Sequence, residues 1–197
     1  ASFSANREAT KSLMTMFVFG YGSLIWKTGF QYDERLIGFI KGYRRVFYQG
    51  STDHRGTPSS PGRAVTLEPA NDQICWGVAY KISKKEHQEE AINLLEVREK
   101  QYDQKLNLDF YTDHSAASPA VSGVLVYVGS SNKEKNPNYL GPSSVKEIAL
   151  QIACAEGPSG TNREYLFRLE KDLREMDVED EHVYELAEEV RRILSSQ

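Results

Sequence analysis

Carboxylates, backbone amides and arginines are the groups in this chain that fall into a chemically suggestive pattern. Its four histidines (54, 87, 114 and 182) show no metal-ligand spacing, and Cys75 and Cys154 form no C-x-x-C pair. The apolar run Phe17-Val18-Phe19 stops at Gly20-Tyr21-Gly22-Ser23 and resumes as Leu24, Ile25 and Trp26. This turn is no dinucleotide fingerprint, because Ile25 stands where the third glycine belongs. No Gly-Lys-Ser/Thr follows it as in a P-loop, and Ser23 lacks the G-x-S-x-G setting of a nucleophile elbow. What such a turn can offer is a nest of N–H groups for an anion or a polarised carbonyl, the glycines allowing close approach. A plain bend at a strand end is the other reading.

Glu99 is a carboxylate on an apolar stripe. Over a helix spanning about residues 84–102, ~100° per residue puts Ala91, Ile92, Leu94, Leu95 and Tyr102 on one face, with Glu99 among them. Loss of hydration there raises a carboxyl pKa into the range useful for proton transfer. The alternative is that Glu99 ends the helix against Arg98 or turns to solvent. Glu96, at the edge of the stripe, is the weaker candidate. Residues 35–63 carry six basic side chains (Arg35, Lys41, Arg44, Arg45, Arg55 and Arg63) against Asp53 alone, a balance that suits a small anionic ligand. Solvated strand edges would carry the same charges. Arg55 stands apart in a glycine-flanked loop beside Asp53 and His54, where it serves either the turn or a site.

Elements must position these groups. Short apolar runs predict strands at 16–20, 36–50, 63–69 and 74–82, the last with Ile74, Trp76, Val78 and Tyr80 at period two. The segment 51–62, rich in Gly, Pro and Ser, reads as a loop. Ser83 with Glu86 has capping-box spacing and opens the helix that carries Glu99; Ser144/Glu147 and Thr161/Glu164 repeat that spacing. Strands at 105–112 and 121–129 follow, and the chain closes with three helices, the last over 179–196 with its acidic run as a solvated face. The expectation is an α+β fold of about six strands, curled into a closed or partly open barrel, with one inserted helix and a helical C-terminal part.

Residues 1–15 are polar and aperiodic and read as a tag or disordered leader, leaving 16–197 as a single domain. A 40% hydrophobic, 26% charged composition is enough for an ordinary core. The net charge of −4 disfavours nucleic acid, no apolar run approaches the ~20 residues of a membrane span, and two lone cysteines fit the reducing cytoplasm.

Six stretches, "VFGYGSLIWK", "QGSTDHRGTPSSPGR", "CWGVAY", "REK", "NPNYLGP" and "GPSGTNREYL", occur in this order between residue 17 and about residue 170. Together they resemble the ChaC-type, glutathione-specific γ-glutamylcyclotransferases, and "REKQYD" resembles the plant branch. The resemblance implies a γ-glutamylcyclotransferase-like mixed β-barrel with flanking helices, a cofactor-free lyase without a metal, and glutathione as the small-molecule partner. It implies Glu99 as the catalytic base and the backbone of Gly20, Tyr21, Gly22, Ser23, Leu24 and Ile25 as the γ-glutamyl cradle. Asp53, Arg55 and Tyr165 would contact the rest of the peptide. Gln101 and Tyr102 follow "REK" directly, one residue shorter than in relatives with two glycines before the tyrosine, so no role is carried to Tyr102. Other γ-glutamyl peptides or γ-glutamylamines are alternative substrates, and a non-catalytic binding module is the reading from a different class.

Overall fold

In the computed structural model, which describes residues 14–197, alternating apolar residues of the first half build one curled sheet. Its strands are β1 (Met16–Gly20), β2 (Glu34–Ser51), β3 (Gly62–Ile82), β4 (Gln104–Phe110) and β5 (Val121–Val128), in the order β2-β3-β1-β5-β4. The sheet is mixed: β1 runs parallel to β5, and the other pairs are antiparallel. Its edges meet at one bridge, where Phe39 and Tyr111 exchange backbone hydrogen bonds of 2.8 and 2.9 Å. The barrel is therefore pinned at a point rather than closed by a ladder. Val18, Phe19, Phe47, Val78, Tyr80 and Val126 are among the side chains that fill the core.

The two strands expected at 63–69 and 74–82 are one strand, β3. It bends with β2 at a bulge, where Asp72 (φ 61) and Gly42 (φ 84) take left-handed conformations. Pro69 pairs opposite Tyr43 beside that irregularity, a place where a missing N–H costs little.

Helix α1 (Lys85–Arg98) is shorter than 84–102, because Glu99 (φ −102, ψ 23) caps it and the chain turns away. Ser83 does not cap it: Lys84 is the N-cap, and the Ser83 N–H donates to Asp33 Oδ2 at 2.7 Å. The expected stripe on α1 is narrow. Only Ala91 and Leu95 are buried, whereas Ile92 and Leu94 are exposed.

Ser144 and Thr161 do cap α2 (Val145–Cys154) and α3 (Asn162–Glu175), accepting from the N–H groups of Glu147 and Glu164. Between those helices lies a hairpin not expected from the sequence, β6 (Glu156–Gly157) and β7 (Gly160–Thr161). Helix α4 (Glu181–Ser195) buries Val183, Leu186, Ala187 and Val190 against α2 and α3 and leaves Glu181, Glu185 and Glu188 exposed. Of the leader expected over 1–15, residues 1–13 lie outside the described residues, and the Met14 carbonyl accepts from Gln88 Nε2 at 3.0 Å.

Candidate active site

A cleft of about 260 Å3 opens where the turn after β1, the end of β2 and the end of α1 converge. Glu99 lines it. As the cap of α1 it leaves the helix where the chain turns, and its side chain is only 14% exposed. Burial pushes its pKa from the ordinary 4.5 up to about 7, against the opposing pull of the Arg98 guanidinium, whose Nε lies 3.9 Å from Glu99 Oε1. Both readings of Glu99 thus hold together: it ends the helix beside Arg98, and it is desolvated in a cleft. Glu96 points elsewhere, to Lys105 Nζ at 2.7 Å.

The glycines of the turn answer to packing. A methyl group on Gly22 would lie 2.8 Å from both the Tyr165 hydroxyl and Val65 Cγ2; one on Gly20 would lie 2.7 Å from Leu24 Cβ. The chain then makes a single 3-10 turn, Ser23–Ile25, in which the Ile25 N–H bonds the Gly22 carbonyl at 3.0 Å. The N–H groups of Gly22, Ser23 and Leu24 find no backbone acceptor among the described residues, as the first donors of a helical turn do not. Ser23 faces the cleft. Tyr21, Leu24 and Ile25 turn their side chains into the core; the Tyr21 hydroxyl donates to the Tyr127 carbonyl at 2.5 Å, and the Leu24 and Ile25 carbonyls accept from Tyr80.

Three more expected residues line the same cleft. Asp53 sits between Lys100 Nζ at 3.5 Å and His54 Nε2 at 3.8 Å. Arg55 donates through Nη1 to the Thr161 carbonyl at 3.2 Å and lies 3.7 Å from Glu164 Oε2. Tyr165 is buried; its hydroxyl oxygen accepts from the Val65 N–H at 3.3 Å, and burial pushes its pKa up to about 12. Glu99, Ser23, Asp53, Arg55 and Tyr165 are therefore gathered at one place, while Gly20, Tyr21, Gly22, Leu24 and Ile25 contribute only backbone and packing.

Of the six basic residues in 35–63, only Arg55 reaches this cleft. Arg63 is neither a solvated edge nor a ligand site: buried, it donates to the Phe47 and Gly141 carbonyls at 2.8 Å each and to Gln151 Oε1 at 2.7 Å. Arg45 is likewise buried, against Trp76, Cys75 and Asp180.

Sequence reasoning missed three contributors. Arg98 donates to the Lys27 carbonyl and to Ser23 Oγ. Tyr102 lines the cleft and donates to the Val65 carbonyl at 2.8 Å. Gln49, also in the lining, exchanges amide hydrogen bonds of 3.0 and 2.8 Å with Asn136. A signal for that pair existed, since Gln49 and Asn136 are the first residues of two of the six quoted stretches.

The profile of the ChaC-like proteins matches residues 16–193. The chain belongs to the ChaC-like family. Among its relatives, γ-glutamylcyclotransferase 2-3 of Arabidopsis thaliana is 63% identical, over 92% of this chain and 92% of its own. Glutathione-specific γ-glutamylcyclotransferase 1 of Danio rerio is 41% identical, over 87% of each chain. The crystal structure of a yeast γ-glutamylcyclotransferase specific to glutathione matches with a TM-score of 0.80 at 31% identity, covering 90% of this chain and 96% of that one. The ChaC-like fold expected from the six stretches is thus the fold observed, with the barrel open along most of its seam. Among the described residues, no helix of this ChaC-like protein is long and apolar enough to cross a membrane.

Proposed function

We propose that this ChaC-like protein cleaves glutathione, closing its γ-glutamyl group to 5-oxoproline and releasing Cys-Gly. The observation that carries the reading is Glu99, desolvated in the cleft beside Ser23 with a pKa raised to about 7. The α-amine of the γ-glutamyl group attacks its own γ-carbonyl. Carbon–nitrogen bond formation closes a five-membered ring, and the bond to the cysteinyl nitrogen breaks. Glu99 takes the proton that the amine sheds and returns one to the leaving nitrogen, so no water is consumed. A carboxyl poised near neutrality suits both transfers. The Gly22, Ser23 and Leu24 N–H groups are the donors available to the developing oxyanion, and an intramolecular attack needs no protein nucleophile.

Asp53, Arg55 and Tyr165 receive the remainder of the peptide. Arg55 spends Nη1 on the Thr161 carbonyl, and its other N–H groups suit the terminal glycine carboxylate. The protein works in the cytoplasm, on a small molecule, without a nucleic-acid or membrane partner and without a cofactor. The test is purified protein with glutathione, scored for 5-oxoproline and Cys-Gly, beside γ-Glu-Ala and γ-glutamyl-lysine as competitors for the same site. Turnover of glutathione that is lost in Glu99→Gln supports the reading. No 5-oxoproline from any of the three overturns it, and preference for γ-glutamyl-lysine moves the substrate to γ-glutamylamines.

A further inference from the structure

Arg98 takes no part in the cyclisation as written, yet its guanidinium reaches in three directions. Nη1 donates to the Lys27 carbonyl and, at 3.4 Å, to that of Thr28; Nη2 donates to Ser23 Oγ at 2.6 Å; Nε faces Glu99 Oε1 at 3.9 Å. The side chain is 18% exposed; its bond to Lys27 lies at the surface, and those to Thr28 and Ser23 are partly buried. Ser23, Lys27 and Thr28 all line the cleft. We infer that Arg98 is the positioning residue of this site: its planar fork bolts the amide-bearing turn to the end of α1 that carries Glu99, and its charge favours the ionised carboxylate. The inference rests on the proposed role of Glu99 as the base.

Each distance has a chemical consequence. At 3.9 Å, Nε attracts the carboxylate without a hydrogen bond, leaving the oxygen lone pairs of Glu99 free to take a substrate proton. Ser23 Oγ accepts from Arg98, which leaves its own proton for a bound ligand. The other titratable groups coupled to Glu99 are the hydroxyls of Tyr21, Tyr102, Tyr127 and Tyr165, all held neutral by burial. Lys100, the next residue, pairs with Asp53 instead. Arg98 is thus the cation that opposes desolvation at Glu99. A lysine could supply that charge as a point, but not a fork reaching three partners.

The two duties separate in variants. Arg98→Lys keeps the charge: the acid limb of kcat/KM against pH stays in place, while kcat falls roughly tenfold as the turn loosens. Arg98→Gln loses both: the acid limb moves up by about one pH unit, and kcat falls further. Thermal melting monitors folding. If Arg98→Gln does not fold, Arg98→Lys decides alone; wild-type kcat and KM in that variant, or a displaced acid limb, overturns the inference. A folded Arg98→Gln with an unmoved acid limb overturns it as well. Failure of the proposed function looks different, because then the wild-type protein itself yields no 5-oxoproline.

Discussion

Replacing Glu99 by glutamine should make the protein more stable as it makes it inactive, by an amount that depends on pH. Glu99 titrates at 4.5 when freely hydrated and at about 7 in the fold. A carboxyl whose folded pKa is raised is at no disadvantage below 4.5, where both states bind the proton. Between 4.5 and about 7 the unfolded chain ionises first, and stability falls as pH rises; above about 7 the cost is complete. At ~1.4 kcal/mol per pH unit the full interval corresponds to about 3 kcal/mol. Glutamine has no charge to desolvate, and the value of about 7 already includes the attraction to Arg98, so the gain at pH 8 is about 3 kcal/mol. In a chain of this size that is ~2–4 °C in Tm for each kcal/mol. The assay is denaturant unfolding of both proteins at pH 5, 6, 7 and 8, read as the difference between them, which cancels every other titrating group. The gap should open with rising pH and level off above about 7. A gap that stays constant, or wild type gaining on the variant as pH rises, would refute the claim that Glu99 is desolvated.

Three further substitutions probe the surroundings. Gly22→Ala drives a methyl group into the Tyr165 hydroxyl and Val65, so turnover should drop at least ~10-fold at about 1–3 kcal/mol of stability, measured by initial rates and melting. Arg55→Ala should raise KM for glutathione by about tenfold with kcat little changed, the loss of one charge-assisted contact, and should matter less for γ-glutamyl-lysine. Arg63→Met orphans the Phe47 and Gly141 carbonyls and should cost about 2–4 kcal/mol in denaturant unfolding without moving the pH profile of turnover.

Local signals were readable where one element decides them. Ser144 and Thr161 cap their helices because a hydroxyl needs only the N–H three residues ahead. Ile74, Trp76, Val78 and Tyr80 alternate along a strand, whereas the apolar stripe expected around Glu99 is not there: Ile92 and Leu94 are exposed, and Glu99 is largely buried by the turn beyond the helix. Long-range partners were not readable. Pro69 to Gln73 looks like the end of a strand, and only the matching bend in β2 at Gly42 lets β3 continue through it. Arg45 and Arg63 look like solvated charges until carbonyls far away in sequence are placed around them. Ser83 fits the capping pattern, but Asp33, fifty residues earlier, claims its N–H. Arg98 was visible only as a neighbour of Glu99, because the carbonyls of Lys27 and Thr28 that define its role lie some seventy residues away.

The early end of α1 ties these observations together. Helical residues diverge by ~100° from one to the next, so the last one, Arg98, and the cap, Glu99, leave the backbone toward different neighbours. Arg98 reaches the turn at 23–28, and Glu99 enters the cleft between that turn and Tyr165. The end of a helix also carries a partial negative charge, which favours an arginine and disfavours an ionised glutamate. Burial pushes the Glu99 carboxyl toward its protonated form, while Arg98 holds it back. The apolar spacing suggests a helix that runs on to Tyr102. Instead the chain turns, the Tyr102 N–H bonds the Glu99 carbonyl at 2.9 Å, and the Tyr102 hydroxyl crosses to the Val65 carbonyl. The same Val65 gives its N–H to Tyr165, so one residue of β3 fixes both tyrosines that wall the cleft beside Glu99.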